Sequence, residues 1–135
     1  MLINLGAELT AQLLESRADA ESLMLDTCTI IHPTGTDTDP DTGVVVVTGP
    51  TVYTGKAKVA TYEAQESNPE AGESVRTVQR YALHIPVGSY APEIGDVATV
   101  TAAALDPNLT GRRYRIAALL HKTLATAYRL GVTED

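Results

Sequence analysis

The sequence predicts a mainly β protein: a small barrel of six or seven short antiparallel strands, led by one N-terminal α-helix. Three observations predict it. From residue 25 onward Thr and Val recur in short segments punctuated by Gly and Pro, a strand vocabulary. The stretch before it repeats leucine at helical spacing instead. The number of strands would also leave exposed edges in an open sheet, and closure removes them. The 135 residues suit one domain, 1–135, divided into a helix over 5–24 and a barrel over 25–133.

The helix rests on Leu5, Leu9 and Leu13, joined by Leu14, Ala18, Leu23 and Met24, with Glu8, Gln12, Glu15, Asp19 and Glu21 on the opposite side. Such a stripe is expected to cover the domain's own core, or else a neighbouring subunit. Strands are expected over 25–32, 43–48, 51–62, 76–87, 96–104 and 112–120. In the fourth of these Tyr81, Leu83, Ile85 and Val87 share a face opposite Arg80, Ala82 and His84. Gly55 interrupts the third and marks a bulge or a close backbone approach. The tail after His121 fits either periodicity, and Thr123 and Thr126 favour a strand. Pro33 to Thr42 and Glu63 to Ser74 hold no aliphatic or aromatic side chain larger than Ala. Segments that cannot anchor by burial are expected as two long, flexible, acidic loops, 33–42 and 63–75.

Charge narrows the functional classes. The chain carries −7 overall, against the basic face expected of a nucleic-acid binder. The balance is uneven: three basic and twelve acidic residues up to position 75, then seven basic and five acidic. A chain polarised in this way can stack acidic patch on basic patch. No apolar run approaches the roughly 20 residues of a membrane span. The opening residues lack the basic flank of a signal peptide. Cys28 stands alone, so no intrachain disulfide is expected.

No catalytic or cofactor motif emerges, and neither an enzyme nor a cofactor is expected. Asp37, Asp39 and Asp41 alternate before Gly43, but Thr42 intervenes and the acidic residue that would close a calcium loop is replaced by Thr48. These aspartates read as a solvated turn. His32, His84 and His121 are dispersed, with only Cys28 near His32, which does not assemble a zinc site. Cys28 lies within an apolar strand and reads as core, not as a nucleophile. No nucleophile elbow, phosphate loop or dinucleotide fingerprint occurs. Arg112, Arg113 and Arg115 around Tyr114 form the one basic cluster. A single-strand-binding barrel built on it is the rival reading, although the arginines and the tyrosine alternate onto opposite faces.

Several segments carry a resemblance. Arg80-Tyr81-Ala82-Leu83-His84-Ile85-Pro86, Ile94-Gly95-Asp96-Val97, Asp106 through Ile116, Thr123 through Leu130, and the upstream Thr51 through Val59 follow one another as in head-closure (stopper) proteins of tailed actinobacterial phages. The chain resembles that family over most of its length. The resemblance implies a β-barrel that assembles as a homo-oligomeric ring, hexameric or matched to a twelve-fold portal. Its partners would be the portal or adaptor and a tail terminator or tail tube protein, at the head–tail junction of a virion assembled in the host cytoplasm. Packaged DNA would pass through without sequence-specific binding. A tail terminator or another tail-joining ring is the alternative within that class. On this reading Glu63, Glu66, Glu70 and Glu73 face the lumen or a neighbour, and Arg112, Arg113 and Arg115 supply the ring interface.

Overall fold

The computed structural model describes residues 5–68, 74–121 and 123–134. Helix α1 (Leu5–Ser22) leads into eight strands: β1 (Asp26–Ile31), β2 (Gly35–Thr38), β3 (Val45–Thr48), β4 (Thr51–Asn68), β5 (Ser74–Ile85), β6 (Val97–Ala103), β7 (Arg113–Leu119) and β8 (Tyr128–Glu134). Six of them close an antiparallel barrel in the order β1-β4-β5-β8-β7-β6, and β2 and β3 form a separate two-stranded sheet. A single 3-10 turn, Pro107–Leu109, capped by the Asp106 side chain, joins β6 to β7.

The interior follows from the period of two. Cys28 and Ile30, Leu83 and Ile85, Ala98 and Val100, Tyr114 and Ile116, and Leu130 and Val132 each occupy alternate positions of one strand and are buried together. A six-stranded barrel is too narrow for a lumen, and these side chains fill it as a solid core. Gly55 does not break β4; it sits opposite Cys28 in regular register. A Cβ there would come within 2.8 Å of the Tyr53 hydroxyl, which donates to the Lys56 carbonyl at 2.6 Å. The close approach expected at Gly55 is therefore a tyrosine side chain folded over its own strand. The irregularity of the β1–β4 ladder falls between Ile30 and Ile31 instead.

Both expected loops are corrected. Within 33–42 lies β2, paired with β3 from Gly35↔Thr48 to Thr38↔Val45. The aspartates sit at the turn: Asp39 Oδ1 accepts the Asp41 N–H, and Gly43, at φ +73°, donates to the Asp39 carbonyl. Threonines and a valine run supplied a hairpin that the acidic composition obscured. Within 63–75 the ladder of β4 and β5 continues to Asn68↔Ser74, and residues 69–73 lie outside the described part. Backbone pairing carried the strands through a segment without large apolar side chains.

Helix and tail also differ from expectation. The helix ends at Ser22, and instead of covering the core it leaves Leu9 and Leu14 exposed at 52% and 59%. The contact with the barrel side lies near its C-terminal end, where Arg17 Nε donates to the Ala125 carbonyl at 3.0 Å and Met24, just beyond, is buried. The tail is a strand, but it starts only at Tyr128, because Leu124 adopts φ +59° and turns the chain before it.

Candidate functional site

The β1–β6 ladder ends on Ile31↔Val97, so the next residues along each strand, His32 and Asp96, meet at the barrel rim. The His32 Nδ1–H donates to Asp96 Oδ1 at 2.7 Å, and the same nitrogen lies 3.4 Å from Glu93 Oε2. Asp96 is the one buried charged residue among those described. Its second oxygen, Oδ2, accepts the Glu93 backbone N–H at 3.1 Å and the Tyr90 hydroxyl at 3.4 Å. A carboxylate taken from water must find such partners, because leaving it unpaired costs several kcal/mol. The loop is shaped for this: Gly95, at φ +97°, reverses the chain, and its N–H donates to the Ile116 carbonyl.

Tyr90 is held in turn by Tyr53, the two rings stacked with centroids 5.9 Å apart and planes 15° from parallel. Burial pushes the Tyr53 hydroxyl up to about 12 and that of Tyr90 higher still, so both stay protonated and serve as donors. The hydrogen bond to Asp96 holds the His32 imidazole charged above its usual range, although desolvation opposes it. His32 and Glu93 keep exposed side chains, whereas Asp96 is enclosed. The result is an imidazole nitrogen with two carboxylates converging on it, open to solvent on one side. Among the described residues this is the group of His, Cys, Asp or Glu side chains that could hold a metal ion.

Sequence reasoning missed this cluster. It weighed His32 only against Cys28, whose burial in β1 pushes the thiol up to about 12 and leaves it unreactive at neutral pH. Glu93 and Asp96 lie more than sixty residues away, and a local motif cannot register partners joined by a ladder. The signal present was the Gly95-Asp96 turn at the foot of one strand and a histidine at the end of another.

The residues singled out in advance are scattered. Glu63 and Glu66 lie on β4 opposite Gln79 and Arg76, while Glu70 and Glu73 are outside the described residues. On β7, Tyr114 points into the core at 1% exposure, and Arg113 and Arg115 share the outer face, as the alternation predicts. Arg112, just before β7, is engaged within the chain by the Glu134 carboxylate and by the Asn108 carbonyl, which Nε reaches at 2.8 Å. No helix among the described residues is long and apolar enough to cross a membrane.

Residues 16–133 match the model of a family of unknown function, DUF6093. No curated protein and no solved structure matches the chain.

Proposed function

The chain belongs to the DUF6093 family, and we propose that it is a structural protein of a tailed-phage neck. On this reading it is a head-closure subunit that forms a ring between portal or adaptor and tail, and it works by assembly without catalysis. Its place is the head–tail junction of the virion, with DNA passing between the copies. The resemblance of the strand and turn segments to stopper proteins motivates the reading.

The observation that carries it is surface beyond the needs of the barrel. Helix α1 exposes leucines instead of burying them, and Val44, Val45 and Val46 of the β2–β3 hairpin are exposed at 53%, 56% and 41%. The β4–β5 ladder runs for seven pairs past Tyr81, the last β5 residue paired with β8, from Tyr62↔Arg80 to Asn68↔Ser74. At about 3.3 Å per residue that arm is roughly 20 Å long. A monomer gains nothing from exposed leucines and valines, whereas a ring uses such features at heterologous contacts between neighbours. A solid barrel core also supports a conduit formed by several copies, not one within a single chain. The charge fits, because −7 per copy repels phosphates where clustered Lys and Arg would retain them. The rival single-strand binder loses its stacking surface, since Tyr114 is buried and Arg112 is already engaged.

Deleting residues 64–73 tests the reading in a virion-assembly assay. The shortened arm is expected to reduce tailed, DNA-filled particles at least tenfold while the purified chain still folds. Unchanged yield removes the arm from the mechanism. A reconstruction of the neck that lacks this chain overturns the reading, and density next to the tail tube would make it a tail terminator instead.

A further inference from the structure

We propose that His32, Glu93 and Asp96 form a binding site for one divalent transition-metal ion, which fastens the root of the β2–β3 hairpin to the β5–β6 loop. The inference does not rest on the ring reading. The donors converge from two chain segments onto one point: Nδ1 of His32 faces Asp96 Oδ1 at 2.7 Å and Glu93 Oε2 at 3.4 Å. Bonds of about 2.0–2.2 Å to nitrogen and oxygen place neighbouring donors roughly 3.0–3.5 Å apart around the ion. The Nδ1–Oε2 spacing already meets that figure. The Nδ1–Oδ1 spacing is that of a hydrogen bond and widens when the shared proton leaves.

The exchange balances. In the ion-free form the proton on Nδ1 is what the two carboxylates surround. On metal binding that proton leaves Nδ1, to solvent from an imidazolium or to Nε2 from a neutral imidazole, the bound imidazole carries its hydrogen on Nε2, and Nδ1 and one oxygen of each carboxylate become ligands. A dication then balances the two carboxylate charges around a neutral imidazole.

The surroundings are those of a positioned ligand set. Asp96 is fixed by the Tyr90 hydroxyl and the Glu93 N–H, the kind of outer contact that orients a ligating carboxylate. The exposed side of His32 and Glu93 leaves room for water to complete the coordination. One imidazole nitrogen with two carboxylate oxygens suits zinc or manganese, whereas calcium prefers six to eight oxygens. The mechanical consequence follows from the hairpin root. The His32 N–H donates to the Pro50 carbonyl at 2.9 Å, and a Cβ on Gly49 would fall 1.8 Å from the His32 carbonyl oxygen. With the two segments in such close contact, fixing His32 fixes the base of the hairpin.

Calorimetry and thermal melts of the untagged full chain with zinc chloride, manganese chloride and calcium chloride decide the matter. One zinc or manganese ion per chain is expected, with a dissociation constant in the micromolar range or tighter and a rise of several degrees in Tm at saturation. Calcium is expected to bind at least tenfold more weakly. Glu93→Gln, on an exposed side chain that leaves the His32–Asp96 bond intact, is expected to weaken zinc at least tenfold, and His32→Gln to abolish it. His121→Gln serves as the control and is expected to change nothing. Absence of zinc and manganese binding overturns the proposal, as does binding that persists undiminished in Glu93→Gln or His32→Gln.

Discussion

The barrel and its excursions obey opposite rules. In the barrel every strand has two neighbours, and alternate side chains meet in one buried cluster. The helix and the β2–β3 hairpin leave Leu9, Leu14, Val45 and Val46 exposed, and the distal β4–β5 arm extends by backbone pairing past the strands that close the barrel. Folding free energy therefore concentrates in the barrel, and the excursions are free to be shaped by whatever they contact. On the ring reading proposed above, stability and assembly would be separable properties of this chain, written in different residues.

The largest break in that contrast comes from the core. Leu83→Ala removes a fully buried side chain of the barrel and is expected to cost about 3–4 kcal/mol in a urea unfolding curve. Leu14→Ser on the exposed helix is expected to stay within about 0.5 kcal/mol. A Leu14→Ser penalty as large as that of Leu83→Ala would abolish the distinction between the two regions. At the rim, Asp96→Ala strands the Glu93 N–H and the Tyr90 hydroxyl and is expected to cost about 2–3 kcal/mol in the same assay. A near-neutral result would mean that the rim belongs with the excursions and not with the barrel.

The smallest effect sharpens the comparison on the barrel's outer wall. His84 faces Lys58 and Arg129 across its two ladders, and burial together with those cations holds its imidazole below the usual range. The unfolded chain takes up the proton near 6.5, before the folded one does. Stability is therefore fully present above that value and falls as pH drops from 6.5 toward the folded pKa. His84→Gln is expected to flatten that part of the stability curve, read as denaturation midpoints between pH 7.5 and 5. A variant as steep as the parent would place the proton uptake elsewhere.

The same division explains what the sequence disclosed. Barrel strands were legible because burial imposes a period of two on Leu83 and Ile85 or Tyr114 and Ile116, and a period is visible locally. The strand over 43–48 was legible too and is β3, but its partner β2 and the extension of β4 were not. Backbone pairing asks little of side chains, and the acidic, Gly- and Pro-containing composition of 33–42 and 63–75 pointed to loops. The helix was placed to within two residues, but of the two readings of its stripe the one that covers the domain's own core fails at Leu9 and Leu14, since leucine spacing announces an apolar stripe without naming what covers it. The His32–Glu93–Asp96 cluster was least legible of all. It exists only because β1 and β6 are neighbours, and strand order is a global property that no stretch of residues displays.

The unbroken course of β4 has a mechanical corollary. Its eighteen residues run as one strand from the seam with β1 to the pairing opposite Ser74. A sideways load on the distal end would travel as bending strain along a continuous ribbon into the barrel wall. A contact made on the paired end of the arm thus acts on the same strand that forms the seam with β1.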